Sequence, residues 1–346
     1  MMELTIVDIA RIAGVGVSTV SRVINNHPDV KEETRVKIQR VIDDNHYVPN
    51  NSARILKQIS TKNIGILVKG VFNPFFAGML KSISMNIETK GYSTIVHYHN
   101  DKDDLATLIG FIKEKRLQGV ICLGGDFARV DEKSFKSLDT AIVMVNVDFN
   151  GENEYHNFSS VTISNEKAAY EATRYLIEKG HKHIAIVLGD NTSRSISELR
   201  FKGYKKACEE AGIICSKDYV MYGKYDTSLA YQNMKSCLQN NKEITAVFAT
   251  SDIMAIGVAK AISDLGMKVG KEVSVIGFDG IDVAKFYSPA IATIQQPFDE
   301  LCYECSRLLI DLLKENKEYK HIILDTKLIE GKSVRDIKKL DLLAGE

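Results

Sequence analysis

From residue 64 onwards, the chain alternates between short apolar runs and longer segments of helical periodicity, and this alternation constrains the fold most. The apolar runs are rich in β-branched residues and lie at 64–68, 93–97, 119–123, 141–145, 183–188, 245–249 and 274–278. Helical segments lie between and after them at 75–90, 104–116, 165–180, 197–212, 228–239 and 253–266. Such an alternation predicts parallel sheets covered by helices. Two series of strands predict two doubly wound sheets.

The carboxyl ends of these predicted strands are the places to look for a ligand site. Open parallel sheets bind ligands beyond the carboxyl ends of their strands, and two facing sheets enclose a cleft. The residues that follow the strands are 73–76, 124–126, 148, 189–200, 251–252 and 278–280. We therefore expect any small-molecule contacts to come from these segments.

The first 25 residues have a different pattern, that of two short helices around a glycine-bearing turn. Thr5 lies where an N-cap belongs, with Asp8 three residues on, which is a variant of the capping box. Gly14 supplies a left-handed C-cap. The pattern predicts helices over residues 6–13 and 17–25, and a third over 32–44.

The second of these helices has one apolar side and one polar side. Val20, Val23 and Ile24 would face a small core, which leaves the following residues on the outside or the flank: Val17, Ser18, Ser21, Arg22 and Asn25. A short helix fits the major groove of DNA, where an arginine can donate two hydrogen bonds to guanine. The open alternative is a pair of amphipathic helices packed in some unrelated α domain.

Specific segments carry a resemblance to a known family. Residues 19–25 (TVSRVIN), 30–35 (VKEETR) and 47–56 (YVPNNSARIL) resemble the head of LacI/GalR-family transcriptional regulators. Residues 73–76 (NPFF), 200–203 (RFKG), 275–279 (VIGFD) and 293–297 (TIQQP) resemble the effector domain of that family. The resemblance implies a small all-α helix-turn-helix head plus an α/β periplasmic-binding-protein-like effector domain of two doubly wound parallel-sheet subdomains.

The resemblance also implies which residues contact DNA. They are Thr5, Gly16, Val17, Ser18, Thr19, Ser21, Arg22, Asn25, Tyr47, Asn50, Ala53, Arg54 and Leu56. Leu56 matches the leucine that a short hinge helix inserts into the minor groove in such regulators, which bends the duplex. So short a helix is marginal in water without a partner, and a disordered linker is the alternative.

A second set of residues is implied to bind an effector in the cleft. Arg200 and Asp279 match ligands of effector hydroxyl groups, and Tyr225 matches an aromatic residue that stacks on a ligand ring. The full set is Phe75, Asp148, Arg200, Tyr225, Ser251 and Asp279. An arginine and an aspartate beside an aromatic face suit a polyhydroxylated ring, because hydroxyl groups both donate and accept. In the alternative reading, Arg200 is a surface ion-pair residue, Phe75 is core and Asp279 caps a helix.

The predicted boundaries follow from these segments. Residues 1–48 form the helix-turn-helix domain and residues 49–62 the hinge. Residues 63–346 form the effector-binding and dimerisation domain. Within it, an N-subdomain covers about 63–161 and 292–320, and a C-subdomain covers about 162–291 and 321–340.

Net charge and short motifs narrow the remaining classes of function. The formal net charge is zero, so bulk charge gives no attraction to nucleic acid, and local placement must supply it. We expect no cofactor and no metal: Cys302 and Cys305 lack a second pair, and His97 and His99 lack further ligands. Gly14 and Gly16 lack a third glycine and a preceding strand, so they predict no dinucleotide site, and no enzyme motif was found.

These patterns together predict a sequence-specific transcriptional regulator, not an enzyme. The resemblance implies a repressor that binds double-stranded DNA at a near-palindromic operator as a homodimer. A sugar is the expected effector, and a nucleoside is the open alternative. The alternative is an exported-type solute-binding protein with the same two-sheet cleft. Residues 1–30 lack the continuous apolar run of a signal peptide, so a cytoplasmic protein without a membrane partner is expected.

Overall fold

A computed structural model describes most of the chain in two compact units, Met1–Thr61 and Lys62–Glu346. The described residues are 4–24, 27–45, 47, 62–70, 73–127, 134–135, 138–147, 157–190, 195–314 and 318–338. None of the helices in these ranges combines the length and the apolar character that a bilayer crossing requires.

Three helices lie in the described part of the first unit, each within one residue of its predicted bounds. They are α1 (Ile6–Ala13), α2 (Val17–Ile24) and α3 (Glu32–Asp44). Their inward faces form one small core of Ile9, Ala10, Ala13, Val20, Val23 and Ile38. The apolar spacing of α2 correctly predicted Val20 and Val23 in this core, and Ile24 packs against it.

The ends of α1 confirm the predicted capping. The backbone amide of Thr5 donates to Asp8 Oδ2 at 3.0 Å, and the amide of Asp8 donates to Thr5 Oγ1 at 3.4 Å. Gly14 ends the helix with φ 63°, a left-handed conformation that favours glycine. Lys31, which precedes α3, makes no side-chain cap.

The described residues of the second unit form two six-stranded sheets. The strands are β1 (Asn63–Lys69), β2 (Ser93–His99), β3 (Gly119–Leu123), β4 (Ala141–Val145), β5 (Ser159–Ile163), β6 (Ile184–Leu188), β7 (Val220–Tyr222), β8 (Ala246–Ala249), β9 (Ser274–Asp279), β10 (Ala292–Gln295), β11 (His321–Leu324) and β12 (Lys327–Ile329). The first sheet has the order β11-β5-β4-β3-β1-β2 and the second β12-β10-β9-β8-β6-β7. All named pairs are parallel except β10 with β12. The prediction of two parallel sheets is confirmed.

Helices cover both faces of each sheet. They are α4 (Pro74–Glu88), α5 (Asp104–Lys115), α6 (Asn165–Glu178), α7 (Ile196–Glu210), α8 (Thr227–Asn240), α9 (Asp252–Asp264), α10 (Asp282–Phe286) and α11 (Phe298–Leu312). Successive side chains of a strand point to opposite faces, so Ile66 packs with α4 and α11 whereas Leu67 packs with α5. Cys302 and Cys305 are buried in the first of these cores.

Two late strands correct the predicted subdomain boundaries. Residues 292–295 were assigned to the N-subdomain, but β10 pairs with β9 and so belongs to the second sheet. Residues 321–324 were assigned to the C-subdomain, but β11 pairs with β5 in the first sheet. The chain thus passes between the sheets three times, after β5, after β10 and after β11.

Candidate functional site

Arg200 lies on α7 at the carboxyl edge of the second sheet and is 4% exposed. Its Nε donates to Asn165 Oδ1 at 3.0 Å, and its Nη1 donates to the carbonyl of Thr250 at 2.5 Å. The guanidinium carbon lies 3.6 Å from the centre of the Phe278 ring, which is cation–π geometry. Burial lowers the pKa of the guanidinium. These contacts fix the plane of a buried cation.

Asp279 ends β9 at the same edge and is 6% exposed. Its Oδ1 accepts a hydrogen bond from Gln296 Nε2 at 2.7 Å. Burial raises the pKa of this carboxyl to about 6, although Arg200 and Gln296 oppose the rise. Neither Asp279 nor Arg200 forms a salt bridge with any residue that the structure describes. Two buried charged groups of opposite sign therefore stand close together, each bonded to neutral partners.

Tyr225 supplies the aromatic ring of this edge. Its hydroxyl and Ser197 Oγ share a hydrogen bond of 3.2 Å, and Ser197 Oγ also accepts the amide of Asp190. The ring lies against the backbone of Gly189, where a Cβ would stand 2.2 Å from two ring carbons. Glycine at the end of β6 is thus required for the ring to occupy this place. Burial raises the pKa of Tyr225.

Asn146 brings the first sheet into the same network. It follows β4 directly, has φ 51° and is 3% exposed. Its Nδ2 donates to Gln296 Oε1 at 2.9 Å, and Gln296 in turn donates to Asp279. Asn146 Oδ1 is buried without a hydrogen-bond partner among the described residues. One glutamine therefore links the carboxyl edges of both sheets.

The other predicted effector residues lie in different surroundings. Phe75 is 2% exposed in the core of the first sheet, with ring centres 6.0 Å from Phe76 and 5.8 Å from Phe298. Ser251 caps α9, because its Oγ accepts the amide of Met254 at 3.3 Å. Asp148 lies outside the described residues. The structure brings Arg200, Asp279 and Tyr225 together, and it gives Phe75 and Ser251 structural contacts.

Asn146 and Gln296 were not among the predicted site residues. Asn146 is the first residue after β4, a position where ligand contacts are expected, whereas the prediction for this segment is Asp148. Gln296 lies in the segment 293–297, which carries part of the family resemblance but contains no predicted site residue. Uncharged amides give little signal in a single sequence, although they can donate and accept at once.

The first sheet carries a charged cluster of its own at the carboxyl ends of β1 and β2. Lys69 Nζ lies 2.6 Å from Asp104 Oδ1, and the amide of Asp126 donates to Asp104 Oδ2 at 2.6 Å. His99 Nδ1 lies 3.6 Å from Asp104 Oδ1, and burial lowers the pKa of His99. The buried charge of Asp104 is thus neutralised within the protein.

The second candidate surface is the outer face of α2 in the first unit. Its predicted DNA contacts are exposed at Gly16, Val17, Ser18 and Arg22, and half-buried at Thr19 and Ser21. Arg22 forms no ion pair with any residue in the described part of the chain. A free guanidinium on an exposed short helix has the form that base recognition in the major groove requires.

The remaining predicted DNA contacts are less informative. Thr5 is exposed, and its hydroxyl donates to Asp8 Oδ2 at 2.7 Å within the cap of α1. Tyr47 is half-buried and packs against the core of the three helices. Asn25, Asn50, Ala53, Arg54 and Leu56, and with them the proposed hinge, lie outside the described residues.

Comparison with known proteins gives two family matches and full-length relatives. Residues 5–50 match the bacterial regulatory proteins of the lacI family, and residues 173–334 match a periplasmic binding protein-like domain. The HTH-type transcriptional regulator MalR of Clostridium butyricum is 48% identical over 336 residues, 96% of this chain and 100% of that protein. The HTH-type transcriptional repressor PurR of Pectobacterium carotovorum subsp. carotovorum (strain PC1) is 34% identical over 340 residues, 97% and 98% of the two chains.

Solved structures share the fold over nearly the same length. The transcriptional regulator CelR–cellobiose complex superposes with a TM-score of 0.69 at 26% identity, over 96% of this chain and 100% of that one. The lac repressor dimer bound to operator and the anti-inducer ONPF gives a TM-score of 0.74 at 24% identity, with the same coverage. The second likeness shows the fold alone.

Proposed function

This chain belongs to the lacI family of bacterial transcriptional regulators, and from that membership we propose a repressor whose operator affinity responds to a sugar. The sugar would bind between the carboxyl edges of the two sheets. The head would contact the operator through the outer face of α2. We further propose that two chains act together and that the protein works in the cytoplasm.

The observation that carries the effector site is the pair Arg200 and Asp279. A buried charge is costly unless it is paired or well hydrogen-bonded, and these two form no salt bridge among the described residues. A ligand with adjacent hydroxyl groups could accept from the guanidinium and donate to the carboxylate. Tyr225 offers an apolar ring beside them. The cellobiose of the CelR complex supports a sugar as the class of ligand.

The response to the ligand would pass through the relation between the two sheets. Gln296 already joins Asn146 on one edge to Asp279 on the other. A sugar that contacts both edges would favour one angle between them over another, and operator affinity would change by the same coupling free energy. The hinge over residues 49–62 would transmit the change to the paired heads.

The dimer is supported by the geometry of recognition. One recognition helix per chain reads few base pairs, and two related by a dyad read twice as many. The lac repressor that shares this fold was solved as a dimer on its operator. We therefore expect a near-palindromic operator.

The effector half of the proposal is tested by a thermal-shift screen of the full chain against maltose, cellobiose, ribose and purine bases. A ligand that binds only the folded state raises the melting temperature. The operator is then titrated with and without the sugar that gives the largest rise. A change in operator affinity supports the proposal, and a sugar that stabilises the protein without changing operator affinity contradicts it.

The DNA half is tested with Arg22→Ala, using an operator selected by the wild-type protein from a random duplex library. We expect a loss of about 1–3 kcal/mol on the selected operator and little loss on unrelated DNA, because Arg22 would contact base edges. Arg40→Ala removes the same charge from the exposed side of α3 and serves as the control. An equal loss on both DNAs for Arg22→Ala would contradict the assignment of α2 as the recognition helix.

A further inference from the structure

The backbone that presents the carboxylate of Asp279 is unusual. Asp279 has φ 114° and Gly280 has φ 76°, so two consecutive residues lie at positive φ. Residues with a side chain rarely adopt such a φ, and the conformation persists only where surrounding groups fix it. The side chains that fix this turn therefore also determine where the carboxylate of Asp279 points.

Asp252 and Thr293 hold the turn by accepting hydrogen bonds from its backbone. Asp252 is fully buried, and its Oδ2 accepts the amide of Ile281 at 2.8 Å. Its Oδ1 accepts the hydroxyl of Thr293 at 2.7 Å, and the Thr293 oxygen accepts the amide of Gly280 at 3.3 Å. The two backbone amides that follow Asp279 thus donate to this pair, which we name the Asp252–Thr293 clamp.

A glycine on β9 leaves room for the clamp. Gly277 lies on β9, two residues before Asp279, and a Cβ there would stand 2.2 Å from Asp252 Oδ1. Any larger residue at position 277 would displace the buried carboxylate. The carboxylate is also enclosed and has both oxygens engaged, so it has no surface left for a ligand. A direct contact with a sugar is therefore not its role.

We propose that Asp252 and Thr293 are positioning residues of the effector site, which set the affinity for the sugar through Asp279. This inference rests on the proposed function, in which Asp279 contacts the ligand. Without the clamp, the turn relaxes towards negative φ and the carboxylate leaves the side of Arg200. The ligand then loses one charge-assisted hydrogen bond, although no residue that touches it has changed.

The test is Thr293→Val, which removes the hydroxyl and keeps the shape. The probe is whichever of maltose, cellobiose and ribose gives the largest thermal shift, and its Kd is measured by calorimetry on the full chain. We expect Kd to rise about five- to tenfold, and Thr293→Ser, which restores the hydroxyl, to return it towards the wild-type value. Thr173→Val is the control, because this buried hydroxyl donates to Ala169 within α6, away from the turn.

A mutant cycle separates positioning from a general loss of stability. In an Asp279→Asn background, Thr293→Val should add little to the rise in Kd, since the clamp acts through the carboxylate that is already absent. Independent, multiplying losses would overturn the inference. Asp252→Asn, which cannot accept both hydrogen bonds, gives a second variant with the same expectation if Thr293→Val folds poorly.

The failures of the two proposals are distinguishable. If Asp279→Asn leaves Kd unchanged, the effector site itself is misplaced. If Asp279→Asn weakens binding but Thr293→Val and Asp252→Asn do not, the site stands and the clamp is overturned. If Thr173→Val raises Kd as much as Thr293→Val does, the effect reflects a loss of stability and the clamp is likewise overturned.

Discussion

Among the described residues, buried charged side chains form a salt bridge at the carboxyl edge of the first sheet but not at that of the second. At the first edge, Asp104 is paired with Lys69 and receives the amide of Asp126. At the second, Arg200 and Asp279 are bonded to neutral groups among the residues that the structure describes. The presence of charge therefore does not locate a ligand site in this fold. The proposed site instead coincides with buried charge that forms no salt bridge among the described residues.

The largest expected effect on this contrast comes from Arg200→Ala. The variant removes a proposed partner of the ligand's hydroxyl group, so half-saturation by the sugar should shift roughly ten- to a hundredfold. Operator binding without the sugar should persist. Lys202→Ala, an exposed charge on the same helix, is the control. Operator titrations at increasing sugar concentration measure the shift, and an unchanged response would make Arg200 a structural residue.

Lys69→Met likewise removes a positive charge, here from the first edge, but it should lower stability and leave sugar binding almost unchanged. It leaves Asp104 buried without its cation, which should lower the free energy of unfolding by about 1–3 kcal/mol, since Lys69 itself is partly exposed. The Kd for the sugar should stay within about twofold, because this edge is already neutralised. Urea denaturation and calorimetry measure the two quantities. A large rise in Kd would break the contrast between the edges.

The smallest expected effect is a dependence of sugar binding on pH. Burial raises the pKa of Asp279 to about 6, although Arg200 and Gln296 oppose the rise. On acidification from pH 7 to pH 5, Asp279 therefore gains a proton and ceases to be a charged acceptor. Binding should weaken by up to about tenfold.

The stability of the folded state should depend on pH in the direction opposite to that of sugar binding. A raised carboxyl pKa means that the folded state binds the proton more tightly, so the contribution of Asp279 to stability is greatest at low pH and is lost as pH rises through 6. Kd measured by calorimetry from pH 5 to pH 7 tests the binding side. Asp279→Asn should flatten that profile, and an equally steep profile in this variant would assign the titration to another group.

Much of the fold was predictable from local pattern because the central strands are continuously apolar and the helices have regular spacing. Three of the strands that were not predicted have little local signal. Ser159–Ile163 is half polar, Val220–Tyr222 has three residues, and His321–Leu324 lies at a sheet edge with alternating exposure. Their state is set by pairing with distant strands, which short-range propensity does not report.

Of the candidate site, the charged and aromatic residues were predictable. Arg200, Asp279 and Tyr225 were predicted as ligand contacts, whereas the amides of Asn146 and Gln296 were not. Phe75 follows a strand end as a ligand contact would, yet its ring is enclosed by Phe76 and Phe298. Position along the chain does not decide between a pocket wall and a core, because both require an apolar residue there.

The late strands have a consequence for how the protein is made on the ribosome. The head is one continuous segment, so its three helices can associate as soon as residue 44 has emerged. The sheets cannot be completed in turn, since β11 joins the first sheet and β12 joins the second, and both lie within residues 321–329. A truncation before residue 321 would leave an unpaired strand edge on each sheet at once. We therefore expect nascent chains to carry a folded DNA-binding head well before either sheet is complete.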